Sequence, residues 1–125
     1  EIEKGDSRWV QILLEPTALY VQVMKQLMQN IEIHAAAHIT GGGIENIPRV
    51  LPEKLRWEMQ SWPLPDIFKE VQERTKMSDD EIRKTLNCGI GFVIVLPAVH
   101  VARAKEIILQ NSFQVFDLGV MRGNA

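Results

Sequence analysis

His38-Ile39-Thr40-Gly41-Gly42-Gly43-Ile44-Glu45-Asn46-Ile47-Pro48-Arg49 places a histidine, a hydroxyl, three consecutive glycines, an amide and an arginine within a dozen residues. Three glycines in a row free the backbone to take positive φ and to turn N–H groups toward a ligand. The stretch reads as an anion cradle, with a flexible tight turn as the plainer alternative. Asn46 can cap the short helical turn that follows. Pro48 suits a first turn because its missing N–H would be unpaired there anyway, and Pro52 stops it. A helix start favours anions.

Working outward, the segment before the glycines, Ile31 to Ile39, holds small alanines and predicts a strand or extended segment running into the turn. Upstream, Glu15-Pro16-Thr17 opens a predicted helix that ends near Asn30, with Leu19, Val23, Leu27 and Met28 at helical spacing. Residues 1–14 carry no strong period and read as a linker, with apolar Trp9 to Leu14 as its docking end. Downstream, Leu55 to Met59 alternates as a half-buried strand does, and Ser61-Trp62-Pro63-Leu64-Pro65 breaks it. Asp66 to Thr75 predicts an amphipathic helix. Ser78 and Glu81 have capping-box spacing ahead of a helix over 79–86. Phe92 to Leu96 is a β-branched run of the kind buried on both faces of a central strand, ended by Pro97. Residues 98–110 predict a helix with Val101, Ala104, Ile107 and Ile108 inward, and Phe113 to Val120 a closing strand bent near Gly119. The sum is one α+β domain over 15–125, a mixed sheet of about four strands covered by helices.

Bulk properties narrow the partners. The 125 residues are 46% hydrophobic, enough for one core, and carry a net charge of -2. The basic residues are scattered, so neither a nucleic-acid nor a membrane surface is expected. One cysteine excludes an internal disulfide framework, and no apolar run approaches the roughly 18 residues that span a bilayer. A reduced, cytoplasmic setting is expected, without a signal sequence. No cysteine and histidine spacing suggests a metal site.

The glycine stretch also carries a resemblance. Leu14-Glu15-Pro16-Thr17-Ala18-Leu19-Tyr20-Val21, then Ala37 to Gly43 with Glu45 to Pro52, and Asn87-Cys88-Gly89-Ile90-Gly91 resemble the C-terminal half of the phosphoribosylformylglycinamidine cyclo-ligases, the aminoimidazole ribonucleotide synthetases. Ser61-Trp62-Pro63 and Pro65-Asp66-Ile67-Phe68 match in the same order, so the likeness runs from Leu13 onward. One departure lies at the cradle, where Ile44 alone stands in place of the family's usual two residues. Related ATP-using synthetases of the same superfamily are the nearest alternative, and a non-catalytic phosphate- or partner-binding module the more distant one.

The resemblance implies an ATP- and Mg2+-dependent ring closure of formylglycinamidine ribonucleotide to aminoimidazole ribonucleotide, in de novo purine synthesis. ATP activates the formyl oxygen by phosphorylation and an amidine nitrogen attacks that carbon. It also implies an N-terminal domain that binds most of the ATP and Mg2+, a homodimer in the full-length protein, and an inactive isolated fragment. In that frame His38 is the acid/base or substrate-orienting candidate. Thr40, Gly41, Gly42 and Gly43 are the phosphate cradle. Asn46 is a cap or a ligand contact, and Arg49 clamps a phosphate or pairs with Glu45. Glu15, Thr17, Tyr20, Asn87 and Gly89 are possible cleft-lining residues, for which structural roles also suffice. Cys88 reads as a buried, inert thiol, and His34 and His100 as structural or exposed.

Overall fold

The computed structural model describes residues 7–123. Its elements in chain order are helix α1 (Ser7–Leu14), helix α2 (Val21–Asn30), strand β1 (Ala35–His38), two 3-10 turns (Gly43–Asn46 and Pro48–Val50) and strand β2 (Leu55–Met59). Helices α3 (Asp66–Thr75) and α4 (Asp79–Thr85), strand β3 (Phe92–Val95), helix α5 (Val101–Gln110) behind a short 3-10 turn, and strand β4 (Gly119–Gly123) complete them.

The α+β class holds, and so does the number of strands. Their pairing differs from a single mixed sheet: β1 pairs with β3 and β2 with β4, each an antiparallel two-stranded ladder. Sheet order is a property of tertiary contacts that no local period encodes. In β3, Val93 joins one core while Ile94 packs against the other, so both faces are apolar as its composition requires. The strand is only half-buried at most positions, and its one described ladder partner is β1.

Two cores flank the β1/β3 ladder. The first gathers Ala37, Ile39, Ile47, Trp62, Ile82, Cys88, Ile90 and Val93 beneath the glycine turn. The second is Val23, Leu27 and Ile31 of α2 and its exit against Ala104 and Ile107 of α5. Burying each large aliphatic side chain here contributes about 1.5–3 kcal/mol. Local signals agree with the elements where they are strong. Ser78 Oγ accepts from the Glu81 N–H while the Glu81 carboxylate accepts from the Ser78 N–H, a complete capping box at α4.

Three boundaries depart from the sequence reading. Residues Ser7–Leu14 form a helix rather than a linker, seated by the buried Trp9, whose indole donates to Glu70 at 3.2 Å; residues 1–6 lie outside the described range. Val10, Ile12, Leu13 and Leu14 remain exposed, as an apolar docking end would be. Helix α2 starts at Val21, not at Pro16, and Leu19 and Met28 face outward. The closing strand is Gly119–Gly123, because Phe113 and Phe116 go into the cores instead of a ladder.

Candidate functional site

Strand β1 ends at His38, whose imidazole is exposed, and the chain passes directly into the glycine turn. Ile39 is buried, and its N–H donates to the Gly91 carbonyl at 2.9 Å, fixing the exit of β1 against the entrance of β3. The Gly43 N–H closes the turn on the Thr40 carbonyl at 3.1 Å. Gly42 has φ +94° and Gly43 φ +50°, conformations that residues bearing a Cβ rarely take. Gly43 is also the point of contact with α4: a Cβ there would lie 2.1 Å from the Arg83 carbonyl oxygen and 2.6 Å from that of Leu86. Gly41, by contrast, has open space where its Cβ would be.

Asn46 organises the turn through its side chain. Its Nδ2 donates to the Gly43 carbonyl at 2.8 Å and lies 3.3 and 3.5 Å from those of Gly41 and Thr40. It is therefore not an N-cap, since it ends the first 3-10 turn and satisfies carbonyls rather than N–H groups. Pro48 does open the second turn, which finishes at Val50 before Pro52. Arg49 Nη1 donates to Asn46 Oδ1 at 3.4 Å, and its Nη2 is 3.7 Å from where a Gly42 Cβ would be. The guanidinium's one hydrogen bond does not go to Glu45, so of the two readings the ion pair is absent among the described residues. With the carbonyls turned inward to Asn46, the N–H groups of Gly41 and Gly42 have no backbone acceptor among the described residues. The result is two free amides, one hydroxyl and one guanidinium around the same exposed turn, which is the donor set an anion needs.

Tyr20 joins this group. Its ring stands edge-on to His38 with centroids 6.0 Å apart, and packs on Phe92 at 5.0 Å and Phe113 at 5.4 Å. Burial raises its phenol above the usual range. Glu15 and Thr17 stay exposed on the irregular segment before α2. Asn87 and Gly89 form a separate turn: Asn87 Oδ1 accepts from the Gly89 N–H at 3.1 Å, and Gly89 sits against Pro65. Cys88 within it is fully buried, its carbonyl accepts from the Trp62 indole at 3.0 Å, and burial pushes its thiol up, as expected of an inert cysteine. His34 is exposed beside Glu32, and His100 is half-buried ahead of α5.

A cavity of about 1080 Å3 is lined by Tyr20, Trp57, Phe92, Ile94, Phe113 and Val120 among others, and reaches Gly91, Ile47 and Val50. Its lining is mostly apolar, with His34, Lys105, Asp117 and Arg122 among the polar exceptions, of which Lys105 and Asp117 pair with each other at 2.7 Å. Sequence reasoning missed Asn46 as the hub of the turn, for which the only signal was an amide at a fixed offset behind three glycines; Gly91, expected with Asn87 and Gly89 in a loop facing the cleft, adjoins the turn through the bond from Ile39. It also missed Arg83, buried with its guanidinium 4.2 Å above the Trp62 ring and its Nη1 unpaired.

Residues 2–124 match the family model of the AIR synthase related protein, C-terminal domain. The chain belongs to this family. Its similarity extends to a phosphoribosylformylglycinamidine cyclo-ligase from Methylobacillus flagellatus, 43% identical over 114 residues, which cover 89% of this chain and 33% of that protein. The chain thus spans about a third of the length of that relative. No described helix is long and apolar enough to cross a membrane.

Proposed function

We propose that this chain is the phosphate-holding part of an ATP-dependent cyclo-ligase that closes formylglycinamidine ribonucleotide to aminoimidazole ribonucleotide. The observation that carries the reading is the pair of unpartnered amides at Gly41 and Gly42 beside the Arg49 guanidinium. A substrate 5′-phosphate accepts from those N–H groups and from Thr40 Oγ1, while Arg49 supplies the opposing charge. His38, exposed at the strand end next to the turn, is then the group that holds or moves a proton near the reacting amidine.

When bound, ATP would supply the phosphoryl group that turns the substrate's formyl oxygen into a phosphate leaving group. Among the described residues no group of three or more histidine, cysteine, aspartate or glutamate side chains could hold a metal ion. No step through Mg2+ is assigned to this chain. The remainder of a longer protein, on the pattern of the threefold longer relative, provides the nucleotide and metal ligands, a homodimeric assembly and a cytoplasmic setting in this reading. The 125-residue chain alone is therefore expected to bind substrate and not to turn it over.

Calorimetry with formylglycinamidine ribonucleotide and its dephosphorylated nucleoside tests the proposal. The nucleotide binds, the nucleoside does not, and Arg49→Gln weakens the nucleotide. Equal affinity for both compounds, or no binding of either, overturns the cradle as a substrate clamp, and turnover with ATP and Mg2+ refutes the assigned division of labour.

A further inference from the structure

We infer that Tyr20 is a positioning residue that holds the His38 imidazole in one orientation beside the glycine turn, and that Gly91 is the residue that admits it. The functional meaning rests on the reading of His38 given above; the geometry does not.

An exposed imidazole at a strand end ordinarily samples several staggered rotamers. His38 has neighbours that limit this. Its ladder partner is Phe92, whose ring centroid is 6.2 Å away at an interplanar angle of 30°. Tyr20 stands on another side at 6.0 Å and 64°, within the separation at which edge-to-face rings attract. Tyr20 is itself held, tilted on Phe92 at 34° and stacked on Phe113 at 26°. Tyr20 thus ties Phe92, the other aromatic neighbour of His38, to Phe113 in the second core.

The hydroxyl end of Tyr20 lies over the backbone of Gly91. A Cβ at that position would be 1.9 Å from the hydroxyl oxygen and 3.1 Å from Cζ. Gly91 precedes Phe92, and its carbonyl accepts from the Ile39 N–H, one residue beyond His38. Any side chain at 91 therefore has to displace Tyr20, and with it the wall against His38. Burial keeps the phenol protonated through neutral pH, so His38 meets a neutral ring and not a phenolate. Tyr20 also preceded α2 without capping it: its side chain makes no cap hydrogen bond, which leaves the ring contacts as its role.

The test reads the His38 rotamer by NMR in the labelled 125-residue chain, from side-chain couplings and from contacts between the imidazole and Tyr20 protons, with no ligand present. The unsubstituted chain is expected to show one dominant His38 rotamer. Gly91→Ala should average the His38 couplings and abolish the Tyr20 contacts while the buried Trp62 and Ile82 signals persist. Tyr20→Phe alone should preserve the rotamer, and adding it to Gly91→Ala should restore it in large part, because the 1.9 Å overlap with the hydroxyl is removed and only the 3.1 Å approach of Cζ is left. The same rotamer in Gly91→Ala as in the parent, or failure of Tyr20→Phe to rescue the double variant, overturns the inference. Since no substrate enters these measurements, failure of the nucleotide to bind sinks the proposed function and leaves the Tyr20–His38 coupling standing, and the reverse also holds.

Discussion

Replacing Gly43 by alanine sets a methyl group 2.1 Å from the carbonyl oxygen of Arg83 and 2.6 Å from that of Leu86. Both atoms are backbone at the end of α4, so neither can swing aside as a side-chain tip would. The left-handed φ of +50° adds about 1–2 kcal/mol for any residue with a Cβ. The clash forces the turn and α4 apart over the first core, where overpacking costs about 1–3 kcal/mol more. The expected loss is about 3 kcal/mol in total, at the severe end for single substitutions. For a urea slope of about 1.5 kcal/mol/M, typical of a small domain, the midpoint falls by about 2 M. Gly41→Ala is the internal control. It has nothing within 4 Å and no positive φ, so it should stay within about 0.5 kcal/mol of the parent. Matched urea titrations of the two variants decide the matter, and a Gly43→Ala midpoint no lower than that of Gly41→Ala refutes the claim that the turn is seated on α4 through that glycine.

Asn46→Ala removes the donor shared among the Gly43, Gly41 and Thr40 carbonyls and should cost about 1–2 kcal/mol, read by the same titrations; Asn46→Asp, which turns an acceptor toward carbonyls, should cost at least as much. Arg83→Met should be neutral within about 1 kcal/mol or stabilising, since the buried cation leaves Nη1 unpaired and makes one long bond, 3.3 Å from Nη2 to the Trp62 carbonyl; a loss of several kcal/mol would mean that this bond and the contact over the Trp62 ring outweigh the burial of the charge. Cys88 should resist a thiol reagent until the chain unfolds, its burial having raised the thiol; labelling at native rates comparable to a free thiol contradicts this. The Ser78 backbone and side-chain hydrogen bonds hold the Glu81 carboxyl below its usual range, so the folded state binds fewer protons there than the unfolded one. That contribution is present above the unfolded pKa and is lost as pH falls through the folded one, so stability should drop in acid less steeply in Glu81→Gln than in the parent.

How much of this was legible depended on whether one short window carried the cause. The capping box at Ser78 and Glu81, the alternation through β2 and the amphipathic period of α3 are local, and the structure places those elements where the sequence does. Helix α1 escaped because it is only eight residues long: Trp9, Ile12 and Leu13 do stand at helical spacing, but two turns are too short a window to set a period. The start of α2 was misplaced by Pro16, a good first-turn residue, since Tyr20 is drawn out to meet Phe92 and Phe113. Nothing in Phe113 or Phe116 says that they fill two cores rather than a strand. At the site, the glycines, His38 and Arg49 announced themselves by type and spacing. The inward turn of three carbonyls onto Asn46, which is what leaves the Gly41 and Gly42 amides free, depends on geometry that composition does not carry.

The central claim is that those two amides and Arg49 form an anion cradle, and amide-resolved NMR of the 15N-labelled chain titrated with ribose 5-phosphate tests it most directly. Saturable shifts centred on the Gly41 and Gly42 N–H groups and the Arg49 guanidinium are expected, with smaller effects at Asn87 and Gly89 and weakening in Arg49→Gln. Shifts that are absent from Gly41 and Gly42, or that are as large at sites far from the turn, would contradict it.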